Sequence, residues 1–256
     1  MMHILLSRWR QGHRTLAYPK TIPALPARFQ GLPSFRAELC PEGCSDCAKA
    51  CPTEAITLTA GVPSLDLGRC VFCPACVEAC PEGAIAFTQD HCLAARTRED
   101  LVLTGTEAYH RAEALGGELQ RLLGRSLKLR VVSAGGCNGC EVDVNVLGTL
   151  SWDLGRFGIQ FVASPRHADG LLVTGPVTRN MALALQKTYD AVPGPKIVIA
   201  VGACAIQGGP YHQREEQLGG VASLLPVDLY IPGCPPHPLT ILDGLLRLIG
   251  KLKEPR

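Results

Sequence analysis

The chain has 256 residues, 46% hydrophobic and 19% charged, with a formal net charge of +2. That length holds about two domains, the composition excludes wholesale disorder, and the small net charge makes no case for nucleic-acid binding. Thirteen cysteines are the outlying feature; with no secretory leader expected at Met1–Gly12 and no apolar run of the ~18 residues a membrane span needs, metal-binding thiols are expected rather than a disulfide scaffold.

Residues 1–36 read as an N-terminal arm. The spacing predicts a helix over His3–Leu16, with Ile4, Leu5, Trp9 and Leu16 partly on one side and Arg8, Arg10 and Arg14 elsewhere. A basic amphipathic start beside a Trp suits an anionic membrane face. The other reading is an arm packed on a partner or on the chain's own domains. Pro23, Pro26 and Pro33 then favour extended backbone.

Residues 37–95 contain an internal repeat. Cys40, Cys44, Cys47 and Cys51-Pro52 are followed by Cys70, Cys73, Cys76 and Cys80-Pro81. The second run is the bacterial ferredoxin pattern C-x2-C-x2-C-x3-C-P; the first has one extra residue between its first two cysteines. Three closely spaced thiolates wrap one corner of an iron–sulfur cube, and the fourth cysteine crosses to the other cluster. Cys40, Cys44, Cys47 and Cys80 are therefore expected to hold one [4Fe–4S] cluster, and Cys70, Cys73, Cys76 and Cys51 a second. Two zinc knuckles are the competing reading; two runs of four, each ending in Cys-Pro, argue against it. Cys92 falls outside both runs and is expected to be a buried apolar thiol. With Tyr18-Pro19, Phe29-Gln30-Gly31-Leu32-Pro33 and Leu67-Gly68-Arg69-Cys70, residues 8–90 resemble the two-cluster ferredoxin subunit of formate hydrogenlyase-type complexes and of respiratory complex I.

Residues 96–126 read as a helical connector, the helix covering Thr106–Leu123 with Leu115, Leu119, Leu122 and Leu123 at helical spacing. Gly116-Gly117 weakens its middle and Gly124 is a plausible stop.

Residues 127–256 read as an α/β domain. Strands are expected at Leu127–Ser133, Gly158–Ala163, Gly170–Val173, Lys196–Val201 and Val227–Ile231, and helices at Asn180–Asp190 and Leu239–Leu252. Continuous apolar strands alternating with helices imply a parallel sheet covered on both faces, with its crevice at the carboxyl ends of the strands. Cys137 and Cys140, Cys204, and Cys234 each follow one of three strands, which converges four thiols on one point. A [4Fe–4S] cluster and a tetrahedral zinc both take such a set. Neither a P-loop, a G-x-G-x-x-G turn nor a nucleophile elbow is present.

Gly136-Cys137-Asn138-Gly139-Cys140-Glu141, Thr174-Gly175-Pro176-Val177-Thr178, Gly202-Ala203-Cys204-Ala205 and Ile231-Pro232-Gly233-Cys234-Pro235-Pro236 resemble, in order, the small subunit of membrane-bound [NiFe] hydrogenases of the formate hydrogenlyase type. The homologous complex I subunit carries adjacent cysteines where this chain has Cys137-x-x-Cys140, which favours the hydrogenase branch. The ferredoxin part comes first here, unlike in the coenzyme-F420-reducing type.

The resemblance implies a flavodoxin-like domain behind an α+β ferredoxin domain, and three [4Fe–4S] clusters in all. It implies an electron-transfer subunit whose Ni–Fe site lies in a partner large subunit. Membrane subunits and a donor such as formate dehydrogenase or ferredoxin are the further partners expected. The expected location is peripheral, on the cytoplasmic face of the cell membrane. A complex I-like quinone oxidoreductase, or a nickel-free relative, is the alternative. Glu141 is a candidate proton relay or a helix N-terminal charge, Asp143 a weaker relay candidate. His237 reads either as a hydrogen-bond donor near the third cluster or as a surface residue.

Overall fold

The structure, a computed structural model, describes residues 2–12, 14–59, 62–104 and 109–252. The first helix, α1 (Met2–Gln11), ends short of the expected Leu16. Gly12 stops it, taking φ +62° while its N–H bonds the Arg8 carbonyl at 3.0 Å, as a left-handed glycine does at a helix end. Ile4, Leu5 and Trp9 stay 71%, 67% and 82% exposed, so among the described residues α1 does not pack on the chain's own domains. The rest of the arm does: Leu16 N–H bonds Ser151 O, and Gly31 and Leu32 bond the Thr88 and Asp90 carbonyls.

β1 (Pro33–Phe35), α2 (Asp46–Ala50), β2 (Ile56–Thr59), β3 (Val62–Asp66), α3 (Ala75–Glu78) and β4 (Ile85–Phe87) follow. β1 pairs antiparallel with β4 and β2 with β3, so each cysteine run lies between two strands and is closed by a short helix. This is the α+β ferredoxin arrangement. β5 (Val102–Thr104) adds antiparallel to β3. Strands from outside residues 37–95 thus complete both small sheets.

The connector is not the long helix its leucine spacing predicts. Residues 106–108 lie outside the described set, residues 109–116 form no helix, and α4 is confined to Gly117–Leu123. Ala112 N–H bonds Ala94 O and Leu115 N–H bonds Leu248 O, with both side chains buried. Those pairings and the burial of Leu115 override local periodicity, and the Gly116-Gly117 pair becomes the start of the helix.

β6 (Leu127–Ser133), α5 (Gly139–Val146), β7 (Ile159–Phe161), β8 (Gly170–Thr174), α6 (Arg179–Ala191), β9 (Ile197–Val201), α7 (Ala203–Gln207), β10 (Leu229–Ile231) and α8 (Pro238–Leu248) build the second domain. Its strands are all parallel in the order β10-β9-β8-β6-β7, the flavodoxin-like winding. Every residue of β8 and β9 is buried, as expected of strands covered on both faces. An antiparallel bridge from Ala95 to Tyr230 carries the first domain onto the β10 edge.

α8 is buried along its whole length, yet it holds a charged pair. Arg247 Nε bonds Asp243 Oδ2 at 2.8 Å, and the Tyr18 hydroxyl of the arm donates to Asp243 Oδ1 at 2.8 Å. The Cys92 thiol donates to the same oxygen at 3.5 Å. Burial, and then Asp243, push that thiol up to about 12. Cys92 therefore sits in a polar network rather than the apolar surroundings expected for it. Asp243→Ala leaves Arg247 buried without its partner and costs about 3–5 kcal/mol, whereas Tyr18→Phe costs about 1 kcal/mol; anaerobic urea unfolding checks the difference as midpoint shifts at an unchanged slope.

Candidate metal centres

The ferredoxin repeat brings its thiols together in crossed sets. Cys40, Cys44, Cys47 and Cys80 line a cavity of about 360 Å³ with Phe35 and Ile85. Cys51, Cys70, Cys73 and Cys76 line a tighter one against Ala55, Ile56 and Leu65. The extra residue of the first run is taken up in the turn at Gly43, with φ +74°, and Cys40 stays in its set. Backbone N–H groups aim at sulfur: Ala55 at Cys51 (3.2 Å), Phe72 at Cys70 (3.3 Å) and Ala84 at Cys80 (3.3 Å). Burial above all, with Cys76, Cys51 and Cys73 adding to it, pushes the Cys70 thiol up to about 12.

The third set forms at the carboxyl edge of the parallel sheet. Cys137 follows β6, Cys140 lies in the first turn of α5, Cys204 lies in α7 directly after β9, and Cys234 follows β10. Asn138 takes the left-handed conformation, φ +69°, one that Asn tolerates, and so turns the chain between the two thiols. Burial raises the Cys140 thiol, and Cys204, Cys234, Glu141 and Cys137 raise it further. Burial and then Cys234 and Cys137 push Cys204 up to about 12. Such crowding disfavours four bare thiolates; a metal centre reverses the sign, because a coordinating thiol is deprotonated outright.

Two glycines leave room for the sulfurs. A Cβ on Gly202 would stand 2.5 Å from Cys140 Sγ, and one on Gly209 2.7 Å from Cys204 Sγ. All-sulfur donor sets of four fit an iron–sulfur cube, with zinc as the competitor. Cys204 is buried, whereas Cys137 and Cys234 are exposed, so the third set opens to the surface on that side.

Glu141 is held in place: Thr174 Oγ1 at the end of β8 donates to its Oε1 at 2.6 Å. Thr174 and Gly202 lie in the motif pieces quoted from the sequence, but their contacts with Glu141 and Cys140 cross between strand ends, and Gly209, after α7, has no local signal. Burial raises the Asp143 carboxyl. His237 is half-buried rather than on the surface. Its Nδ1 accepts the Leu239 N–H at 3.1 Å at the start of α8, and its ring meets Phe29 and Trp152 edge-on. One cavity of about 730 Å³ is lined by Phe72 and Pro74 of the second cysteine run and by Cys234, His237 and Asp143. The second cysteine run and Cys234 of the third set therefore border the same space.

Residues 39–84 match the 4Fe-4S dicluster domain family, and residues 137–248 match the family described as NADH ubiquinone oxidoreductase, 20 Kd subunit. The chain is 39% identical over 152 residues to the probable membrane-bound hydrogenase subunit mbhJ of Pyrococcus furiosus, covering 59% of this chain and 91% of that protein. The chain belongs to the 20 Kd subunit family, with a dicluster domain ahead of it. Formate hydrogenlyase subunit 7 of Escherichia coli is 42% identical over 141 residues, 55% of each protein. An NADH-quinone oxidoreductase subunit of Bacteroides thetaiotaomicron is 45% identical over 115 residues, 44% of this chain and 58% of that one. This chain therefore spans little more than half the length of these last two. The 20 Kd subunit match takes in Cys137, Cys140, Cys204 and Cys234, and the dicluster match takes in both ferredoxin sets.

Proposed function

We propose that this chain is the electron-transfer iron–sulfur subunit of a membrane-associated, hydrogenase-like oxidoreductase complex, and that it holds three [4Fe–4S] clusters. Cys40, Cys44, Cys47 and Cys80 bind the first, Cys51, Cys70, Cys73 and Cys76 the second, and Cys137, Cys140, Cys204 and Cys234 the third. The observation that carries this reading is the gathering of every cysteine but Cys92 into three groups of four.

A cluster supplies one-electron storage at each group. The N–H groups of Ala55, Phe72 and Ala84 stabilise added negative charge on the sulfurs they meet. At the third group, the start of α5 does the same. The cavity bordered by both Phe72 and Cys234 supports an order in which the second group lies next to the third, with the Cys40 group as the entry end and the Cys137 face as the exit. Glu141, held by Thr174, relays protons at that exposed edge.

With every other cysteine committed, no thiols are left for nickel; a partner large subunit docking over Cys137 and Cys234 carries the Ni–Fe site. Membrane subunits complete the complex, and formate dehydrogenase or a ferredoxin supplies electrons at the other end. The 45% identity to the NADH-quinone oxidoreductase subunit supports a second reading, the same wiring in a complex I-like quinone reductase or a nickel-free relative. Two C-x-x-C pairs in the partner large subunit distinguish the first reading from the second.

Among the described residues no helix is long and apolar enough to cross a membrane. α1 instead offers exposed Ile4, Leu5 and Trp9, and no acidic residue precedes Glu38 in the sequence. This favours the arm as a surface contact on anionic lipid at the cytoplasmic face.

Cys204→Ala is expected to remove one EPR-detectable cluster and keep the two ferredoxin signals; loss of all three together contradicts the assignment. For the arm, Ile4→Ser with Trp9→Ser is expected to cut sedimentation with anionic vesicles roughly tenfold. Equal binding by the parent and the variant assigns the arm to a protein partner.

A further inference from the structure

Arg98 lies just beyond the ferredoxin repeat and reaches in two directions. Its Nη2 pairs with Asp66 Oδ2 at 2.5 Å and with Gln207 Oε1 at 3.3 Å, and its Nε adds a contact to Gln207 at 3.4 Å. Asp66 ends β3, and its carbonyl accepts the N–H of Cys70 at 3.0 Å. Gln207 ends α7, the one-turn helix that carries Cys204. A single guanidinium thus ties the peptide of a second-group thiol to the helix of a third-group thiol.

One side of this tie is tightly packed, and the other borders a cavity of about 260 Å³ lined by Asp66, Arg69, Arg98 and Gln207. A Cβ on Gly68 would stand 2.8 Å from Ile206 Cγ2 and 2.9 Å from Arg98 Cζ. A further contact joins the same two regions, Gln213 Nε2 donating to Glu54 Oε1 at 3.3 Å, with Glu54 in the turn that follows Cys51. Arg98 and Asp66 are 24% and 20% exposed, so their charges are partly shielded from water. Arg presents a rigid fork of donors, whereas Lys presents a single ammonium.

We propose that Arg98 is a positioning residue for electron transfer between the second and third groups of thiols. It fixes their separation by clamping Asp66 to Gln207, and it neutralises Asp66 beside the second group. The proposal rests on the iron–sulfur reading above. In the step it serves, one electron leaves the centre on Cys51, Cys70, Cys73 and Cys76 and enters the centre on Cys137, Cys140, Cys204 and Cys234; no bond is made or broken and no proton moves. Tunnelling falls exponentially with separation, so a loosened clamp slows the step while both centres stay intact.

The test uses the full, anaerobically loaded chain with Arg98→Met, Arg98→Lys and the double variant Asp66→Asn/Arg98→Met. Iron content, the midpoint potential of each centre, and the freeze-quenched arrival of an electron at the third centre are measured. Arg98→Met is expected to keep full iron and to lower the reduction equilibrium of the second centre by up to about tenfold, ~59 mV for one electron, because Asp66 keeps only the longer ion pair to Arg69 Nε at 3.8 Å. It is also expected to slow arrival at the third centre at least about tenfold. The double variant restores the potential and leaves transfer slow; Arg98→Lys keeps the potential near the parent value and is also slow, since one ammonium does not span both partners.

Parent-like transfer in Arg98→Met overturns the proposal, as does a rate that recovers whenever the potential recovers. If Arg98→Met fails to fold, Arg98→Lys decides: parent-like transfer there overturns the clamp. A parent chain that loads no third cluster overturns the functional reading itself, whereas full loading with unchanged kinetics overturns the clamp alone.

Discussion

Thiolates repel one another and burial makes each harder to ionise, so four of them share a partly buried site only where a metal centre neutralises them. Both domains are solutions to that constraint. In the second domain a parallel sheet sends the ends of β6, β9 and β10 to one edge, and the loops there deliver Cys137, Cys140, Cys204 and Cys234. In the first, a repeated strand–cysteine–strand unit folds back on itself, so that Cys51 and Cys80 each complete the other's set. The close approach of sulfur to backbone at Gly202 and Gly209 is a direct consequence.

How far this was legible depends on the range of the interaction. The continuous apolar strands and the cysteine spacings are local signals, and from them follow the parallel sheet, the crossed sets and the convergence of the third set. The connector misled because Leu115, Leu119, Leu122 and Leu123 keep a helical period although Leu115 is paired instead with Leu248. Periodicity records which residues are apolar but does not record what their backbone bonds to. The first helix was overextended for a related reason: Leu16 has the right spacing, but Gly12 turns the chain first.

Long-range polar contacts left no trace in the sequence. Tyr18 and Cys92 are far in the chain from Asp243 and Arg247, one turn apart on α8, yet all four meet in its buried surroundings. Such a network adds little net stability for the burial it requires, but it fixes how the arm sits on the second domain. Arg98 and the Ala95–Tyr230 bridge do the same for the ferredoxin repeat. The two domains share one apolar core, with Leu65, Leu67 and Leu101 of the first clustered with Ala205, Ile206 and Tyr230 of the second, and the directional contacts set the orientation within it.

Three cubane clusters in the three groups of thiols are what we propose. Anaerobic purification followed by iron, acid-labile sulfide and zinc determination per chain tests it most directly. Three cubanes give about twelve irons and about twelve sulfides, with a chromophore bleached on reduction. Stoichiometric zinc without a reducible chromophore would contradict it.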